Sequence, residues 1–140
     1  MDPLEITTDS RRFDVAAIHG FLTGSYWSPG IPRELVERAI ANSLCFGALL
    51  EGVQVGFARA ITDKATFAYL ADVFVVEEHR GKGIARKLMD AIVAHPDLQR
   101  LRRTMLVTRD AHGLYEKYGF RVADMPERIM AITRPDVYRE

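Results

Sequence analysis

The sequence predicts one α+β domain spanning residues 1–140, with a mixed, mostly antiparallel sheet of six or seven strands and helices on both faces. Three observations lead there. The chain has 140 residues, the size of a single domain. From Cys45 to Val76 the apolar pattern has the two-residue period of strands, broken by turn residues at Glu51-Gly52 and Thr62-Asp63-Lys64, so three strands follow one another as hairpins. Beyond Val76 a helical pattern, a short strand and a second helical pattern alternate, which argues for a parallel crossover.

Each element has a local reason. Leu4–Thr8 alternates loosely and reads as a first strand, and Thr8-Asp9-Ser10 offers side-chain oxygens to cap a helix start. A helix from about Phe13 to Leu22 follows, with Val15, Ile18 and Leu22 at helical spacing. Thr23–Gly30 is rich in Gly and Ser and reads as loop. Pro32 suits the first turn of a second helix, where its missing N–H costs nothing. Leu35, Val36, Ala39 and Ile40 give that helix one apolar face. Cys45–Leu50, Gln54–Ile61 and Thr66–Val76 are the three hairpin strands. Ile84, Leu88, Ala91 and Ile92 mark a helix that ends before Pro96. Thr104–Thr108 is a short strand, and Ala111–Tyr118 a short helix stopped by Gly119. Phe120–Ala123 and Arg128–Thr133 read as two last strands.

Composition narrows the function classes. The chain is 48% hydrophobic and 27% charged, a globular balance. Nineteen basic and nineteen acidic residues cancel, which argues against a general nucleic-acid coat and leaves only a local basic patch open. Cys45 stands alone, so no intrachain disulfide forms and a reducing compartment fits. No apolar run approaches the roughly 20 residues of a membrane span, and the acidic start Met1-Asp2-Pro3-Leu4-Glu5 is unlike a secretory leader. A cytoplasmic protein without nucleic-acid or membrane partners is expected. His19, His79, His95 and His112 have no ligand spacing with one another or with Cys45, so no metal is expected.

The chemistry concentrates between Val73 and Leu88. An apolar strand, Val73-Phe74-Val75-Val76, runs through a polar loop into a helix whose start contains Gly83 and Ala85. Small residues let a ligand approach the backbone, and the unpaired amides and dipole of a helix start favour an anion. Between His79 and Arg103 there are seven Lys or Arg against two Asp, a local excess suited to a polyanionic small molecule. Neither phosphate-loop nor dinucleotide patterns are met. Gly81-Lys82-Gly83 lacks the upstream glycine and following Ser/Thr of the first, and Arg86 stands where the second needs its last glycine.

Arg80-Gly81-Lys82-Gly83-Ile84-Ala85 matches R/Q-x-x-G-x-G/A and resembles the acyl-CoA pyrophosphate loop of the GNAT superfamily of N-acyltransferases. Downstream, Ala111-His112-Gly113-Leu114-Tyr115-Glu116-Lys117-Tyr118-Gly119-Phe120 resembles that superfamily's A-x-x-L-Y-E-K-x-G-F signature. The hexapeptide alone is weak; its place between strand and helix, together with the tyrosine motif, makes the pair specific. The resemblance is strong from Thr66 to Phe120 and elsewhere rests on element order.

The resemblance implies an enzyme that moves an acetyl group from acetyl-CoA to a primary amine without a covalent intermediate, on a sheet splayed between the central strand and Thr104–Thr108. The amides of Gly81, Lys82, Gly83, Ile84, Ala85 and Arg86, with Arg80, would surround the pyrophosphate. Val73, Phe74 and Val75 would pair through their backbone with the pantetheine arm. Tyr115 would sit near the CoA sulfur. Tyrosine titrates near 10, so a protonated hydroxyl is available at neutral pH to the departing thiolate. The attacking amine must lose a proton, and Asp72, a charge inside an apolar strand, is the first candidate for its base; the alternative is a cross-strand pair with Arg59. Tyr26 and Trp27 stand in an otherwise polar loop and would either line the acceptor pocket or cap the core. Thr108 replaces the family's usual Asn at the start of the motif helix. The competing reading is a catalytically inactive acyl-CoA sensor. The family's use of exposed C-terminal strands in dimers makes a homodimer an expectation too.

Overall fold

The structure, a computed structural model, describes residues 3–139. Five strands form one sheet in chain order: β1 (Leu4–Thr7), β2 (Leu44–Leu50), β3 (Val53–Thr62), β4 (Phe67–Val75) and β5 (Arg103–Leu106). The first four run antiparallel to their neighbours and β5 runs parallel to β4. The helices are α1 (Val15–Thr23), α2 (Arg33–Ala41), α3 (Ile84–Ala94) and α4 (His112–Glu116).

The strands' two-residue alternation divides the core between the sheet's faces. On one side Phe13, Ile18, Val36, Cys45 and Phe57 pack under α1 and α2. On the other, Phe46, Ala58, Leu70, Leu88 and Tyr115 pack under α3 and α4. Neighbours Cys45 and Phe46, or Phe57 and Ala58, thus serve opposite layers, as pleating requires. Gly47 is small because a Cβ there would lie 2.8 Å from the Phe13 ring. Helix α1 is capped by Asp14, whose carboxylate accepts from Ala17 N–H. The sequence placed that role at Thr8–Ser10, but Asp9 caps only a single turn at Ser10–Arg12. Pro32 stands as the N-cap of α2.

β4 carries the one irregularity that matters for function. Arg59 pairs with Ala71 and Phe57 with Phe74, so Ala58 faces two residues, Asp72 and Val73. Asp72 absorbs the extra residue at φ +54°, a left-handed conformation that costs on the order of 1–2 kcal/mol for a non-glycine residue. The bulge inverts the alternation: Leu70 faces α3, whereas Phe74, four residues on, faces α1.

The C-terminal expectation is corrected. The sheet has five strands among the described residues, not six or seven; Phe120–Ala123 and Arg128–Thr133 form no strands. Beyond Gly119, at φ +92°, residues 121–136 are exposed throughout, and a short turn at Pro126–Arg128 interrupts them. Strand formation there requires a partner edge, and β5, four residues long, does not pair with them in this chain. No helix among the described residues is long and apolar enough to cross a membrane.

Candidate active site

The site grows out of the end of β4. Its ladder to β5 stops at Leu70–Leu106, although β4 continues to Val75. On its other edge Phe74 and Val75 remain paired with Phe57 and Gly56. Val73–Val75 therefore present their backbone on the side that β5 has left. An open strand edge is a row of donors and acceptors for an extended ligand.

From Val75 the chain turns through Glu77–His79 into the glycine loop. Gly81 and Gly83 have φ +81° and +79°, and nothing stands within 4 Å of where a Cβ would be on either. Gly83 is the N-cap of α3 and supplies no side chain to the helix's first amides. Those amides and the dipole behind them favour an anion. Arg80 leans back, its Nε donating to the Val75 carbonyl at 3.1 Å, and Lys82 Nζ lies 3.0 Å from His79 Nδ1. Ile84 is buried as the first core residue of α3, while Arg86 faces outward. A diphosphate and an amide-rich arm fit this set: small residues, free amides, basic side chains, then an open strand edge.

Tyr115 lies in the core cluster on that same face, with Val73 and Val75 packed against the cluster. Its ring makes an edge contact with Phe120 at 5.9 Å. Burial, and then the nearby Tyr26 phenol, push its hydroxyl above the ordinary tyrosine value. It is therefore protonated at neutral pH and can act as a donor. Thr108, in the place of the family's Asn, accepts from Ala111 N–H at 3.0 Å and closes the turn into α4. Tyr118 turns away from Tyr115: its hydroxyl donates 2.8 Å to Asp90 and lies 3.1 Å from the Arg86 carbonyl, which pins α4 to α3.

On the opposite face the loop between α1 and α2 reaches the bulge. Trp27 Nε1 donates to Asp72 Oδ1 at 2.9 Å, and Arg59 Nε donates to Asp72 Oδ2 at 2.8 Å. Arg59 is steadied by Ser43 Oγ at 3.2 Å. The pair is well shielded, with side chains 17% and 10% exposed. Phe21 stacks on Phe74 at 4.0 Å and touches Trp27, so the loop is seated on β4 through aromatic contacts. Tyr26 and Trp27 meet edge to face at 5.0 Å and are 55% and 40% exposed. The Arg109 guanidinium lies 3.9 Å above the Tyr26 ring. A cavity of about 350 Å³, lined by Leu22, Ile31, Val36, Phe57, Arg59 and Asp72, opens at the Arg59–Asp72 pair.

The structure thus gathers Asp72, Trp27 and Tyr26. It pairs Asp72 with Arg59, the alternative left open by the sequence, and both carboxylate oxygens already receive a donor. Tyr26 and Trp27 are partly exposed, and Trp27 rests against Phe21, which packs on the α1–α2 layer of the core. Sequence reasoning missed Arg109, which stands in no motif, and the Tyr118 clasp, which falls on the signature's variable position; both act across the fold. Among the described residues no group of three His, Cys, Asp or Glu could hold a metal. Burial pushes the Cys45 thiol up to about 12, so it is no nucleophile at neutral pH.

A five-stranded mixed sheet with this broken β4–β5 ladder and glycine-led helix is the architecture of an acetyltransferase. The acetyltransferase (GNAT) domain family matches residues 41–122, and this chain belongs to that family. It is 32% identical over 133 residues to a Gibberella zeae protein provisionally named an acetyltransferase, covering 80% of this chain and 75% of that protein. A crystal structure of a GNAT-family protein from Xanthomonas campestris pv. campestris, also provisionally named an acetyltransferase, is 51% identical and superposes with a TM-score of 0.95 over 98% of this chain and 97% of its own. A Clostridium acetobutylicum protein, provisionally named an acetyltransferase and crystallised with acetyl-CoA, shares the fold at a TM-score of 0.68 and 16% identity, over 93% of this chain and 96% of its own.

Proposed function

We propose that this chain transfers the acetyl group of acetyl-CoA directly to a primary amine of a small molecule or peptide. The observation that carries the reading is the early end of the β4–β5 ladder, which leaves Val73–Val75 open beside the cluster that holds Tyr115. In this reading the amides of Gly81–Arg86, with Arg80 and Lys82, hold the pyrophosphate, and the backbone of Val73–Val75 holds the pantetheine arm. Acetyl-CoA supplies the activated thioester. A backbone N–H of β4, that of Val75 being the candidate, polarises the thioester carbonyl. Tyr115 holds its proton until the thiolate leaves and gives it to the sulfur, a contribution of roughly 10²–10⁴-fold.

The acceptor enters from the α1–α2 side, where Tyr26, Trp27 and Arg109 form the rim. We assign Asp72 to holding Trp27 and the bulge, since Arg59 and Trp27 occupy both its oxygens, rather than to abstracting the amine's proton. That proton leaves to water at the exposed rim. Amines can meet the Trp27 and Tyr26 ring faces as cations before deprotonation.

The test is calorimetric titration with acetyl-CoA against ATP and NAD, followed by thiol release with a panel of amines for the parent and Tyr115→Phe. Acetyl-CoA alone should bind, and Tyr115→Phe should keep that affinity while kcat falls at least 100-fold, the lower end of general-acid effects of about 10²–10⁴. Binding without turnover on any amine would make the protein an acyl-CoA sensor. Absence of acetyl-CoA binding would remove the proposal altogether.

A further inference from the structure

The cavity at the bulge is apolar except for one concentrated set of charges. Its volume of about 350 Å³ is at the small end of small-molecule sites, which run to roughly 300–1,000 Å³. Ile31, Val36 and Phe57 are buried in its walls, and the half-buried Leu35 joins them. The polar part is the Arg59–Asp72 pair, and Arg38 of α2 also lines the cavity. Two guanidinium cations against one carboxylate leave it net positive.

The protein itself satisfies only part of that charge. Asp72 Oδ1 accepts from Trp27 and Oδ2 from Arg59 Nε, yet each carboxylate oxygen has a second lone pair. Arg59 also gives Nη1 to Ser43. A guanidinium carries five N–H donors, and those on Nη2 of Arg59 bond to no described residue. No fully buried side-chain nitrogen or oxygen lacks a partner among the described residues, so Nη2 is open to solvent. Arg38, exposed on α2, makes no side-chain hydrogen bond or ion pair among the described residues.

Cation and anion therefore stand 2.8 Å apart in an apolar surround. The complement is a ligand with an apolar body whose own cation and anion are equally close. In an α-amino acid one carbon separates ammonium from carboxylate. Laid antiparallel over the pair, its carboxylate meets Arg59 Nη2 and Arg38, and its ammonium meets Asp72. Guanidinium suits a carboxylate through its planar fork of donors. The side chain then falls among Ile31, Leu35 and Val36. A polyamine finds no uncompensated carboxylate here. An amine without an anion, or a peptide N-terminus whose carboxylate has become an amide, leaves both guanidinium groups unmatched. The same pair sets the amine beside the chemistry, because Asp72 is followed directly by Val73, where β4 is free of β5.

We infer that the acceptor is a small α-amino acid with an apolar side chain, its carboxylate held by Arg59 and Arg38 and its amine at Asp72. For its chemistry, though not for its binding, this rests on the acetyl-transfer reading. The nitrogen bonds to the acetyl carbon, the carbon–sulfur bond breaks, and the sulfur keeps the electron pair and takes the Tyr115 proton. The ammonium loses two protons, one to water and one that restores Tyr115.

Arg59 is a poor residue to vary, since its loss would also strand Asp72. Arg38 is exposed, so Arg38→Ala should fold as the parent does. The experiment has two arms for both proteins. Calorimetry with CoA present follows the binding of free leucine. Thiol release from acetyl-CoA compares leucine with leucinamide and 3-methylbutylamine. Leucine should bind and be acetylated, and the two analogues should fall at least about 100-fold in kcat/KM, as for a site whose polar groups are left unpaired. In Arg38→Ala the Kd for leucine should rise about tenfold, the worth of one charge-assisted bond, and the preference over 3-methylbutylamine should shrink by the same factor. Acetylation of 3-methylbutylamine as fast as leucine would overturn the inference and leave the transfer reading standing. So would a preference unmoved in Arg38→Ala, or no binding of leucine, methionine or phenylalanine at millimolar concentration. Leucine binding with no turnover of any amine would refute the transfer reading and uphold the cavity as an amino-acid site.

Discussion

Replacing Asp72 by Ala would strand the Arg59 guanidinium beside the bulge, with 17% of its side chain exposed and the Ser43 hydroxyl still bonded to it. Charges about 4 Å apart attract by about 4 kcal/mol at an effective dielectric near 20. Removing one partner of a buried pair costs about 3–5 kcal/mol because the survivor stays desolvated. The residual exposure and the Ser43 bond bring the expectation to the lower end, about 3 kcal/mol. For a chain of this size that lowers Tm by about 10 °C. Three companion variants sharpen the reasoning. Asp72→Gly loses the same charge but relieves the φ of +54°, and should be about 1 kcal/mol more stable than the alanine variant. Asp72→Asn keeps an acceptor for Trp27 and tolerates the left-handed backbone, so it should be the mildest. The double change Arg59→Met/Asp72→Leu removes both charges and should recover at least half of the loss. Urea unfolding followed by Trp27 fluorescence reads all four, since Trp27 is the sole tryptophan and loses its acceptor in the alanine variant. An alanine variant within about 1 kcal/mol of the parent, or a double variant no better than the single, would refute the account of the pair.

Three further outcomes are expected. Gly47→Ala should cost about 1–3 kcal/mol in urea unfolding, because its Cβ would meet the Phe13 ring at 2.8 Å in a packed layer. Gly83→Val forces a β-branched residue to φ +79° beside the free amides of α3. Acetyl-CoA affinity should weaken by at least about tenfold, or about 1.4 kcal/mol, in calorimetric titration. Cys45 yields a pH signature. Its thiol is pushed up to about 12 in the fold against an ordinary 9.0, so between those values the unfolded chain ionises while the native chain must stay protonated. Its contribution is whole below pH 9.0 and is lost as pH rises towards about 12. Cys45→Val should show a shallower decline of the urea midpoint in that alkaline range than the parent; parallel curves would exclude the thiol as the cause.

Much of this protein is legible in the order of its residues. The hairpin strands, the helix at Ile84–Ala94 and the glycine loop before it follow from the periods of strand and helix and from where Gly and Pro fall. Gly119 stops the short helix and takes φ +92°, as its position suggests. The Arg80–Ala85 loop and the tyrosine motif are contiguous signatures, and contiguous signatures survive in a linear reading. The two final strands are the instructive failure. Their pattern is that of strands, but a strand also needs an edge to pair with, and no local pattern states which edge, or whose.

Of the two partners of Asp72, Arg59 was open to the sequence as a cross-strand alternative, and Trp27 was not. A carboxylate in an apolar strand is a costly group whose resolution lies elsewhere in the chain: Trp27 is 45 residues away and Arg59 is 13. The bulge that turns Asp72 towards them is a property of two strands in register. By itself the sequence determined most of the element order, the glycine-led start of α3 and the family, because local dihedral preference and hydrophobic period are carried by neighbouring residues. Only the tertiary structure decided that Asp72 is paired, that Trp27 reaches it from the α1–α2 loop, and that residues 121–136 are left outside the sheet. Each of these depends on which distant groups share a desolvated space, and that is settled when the layers pack.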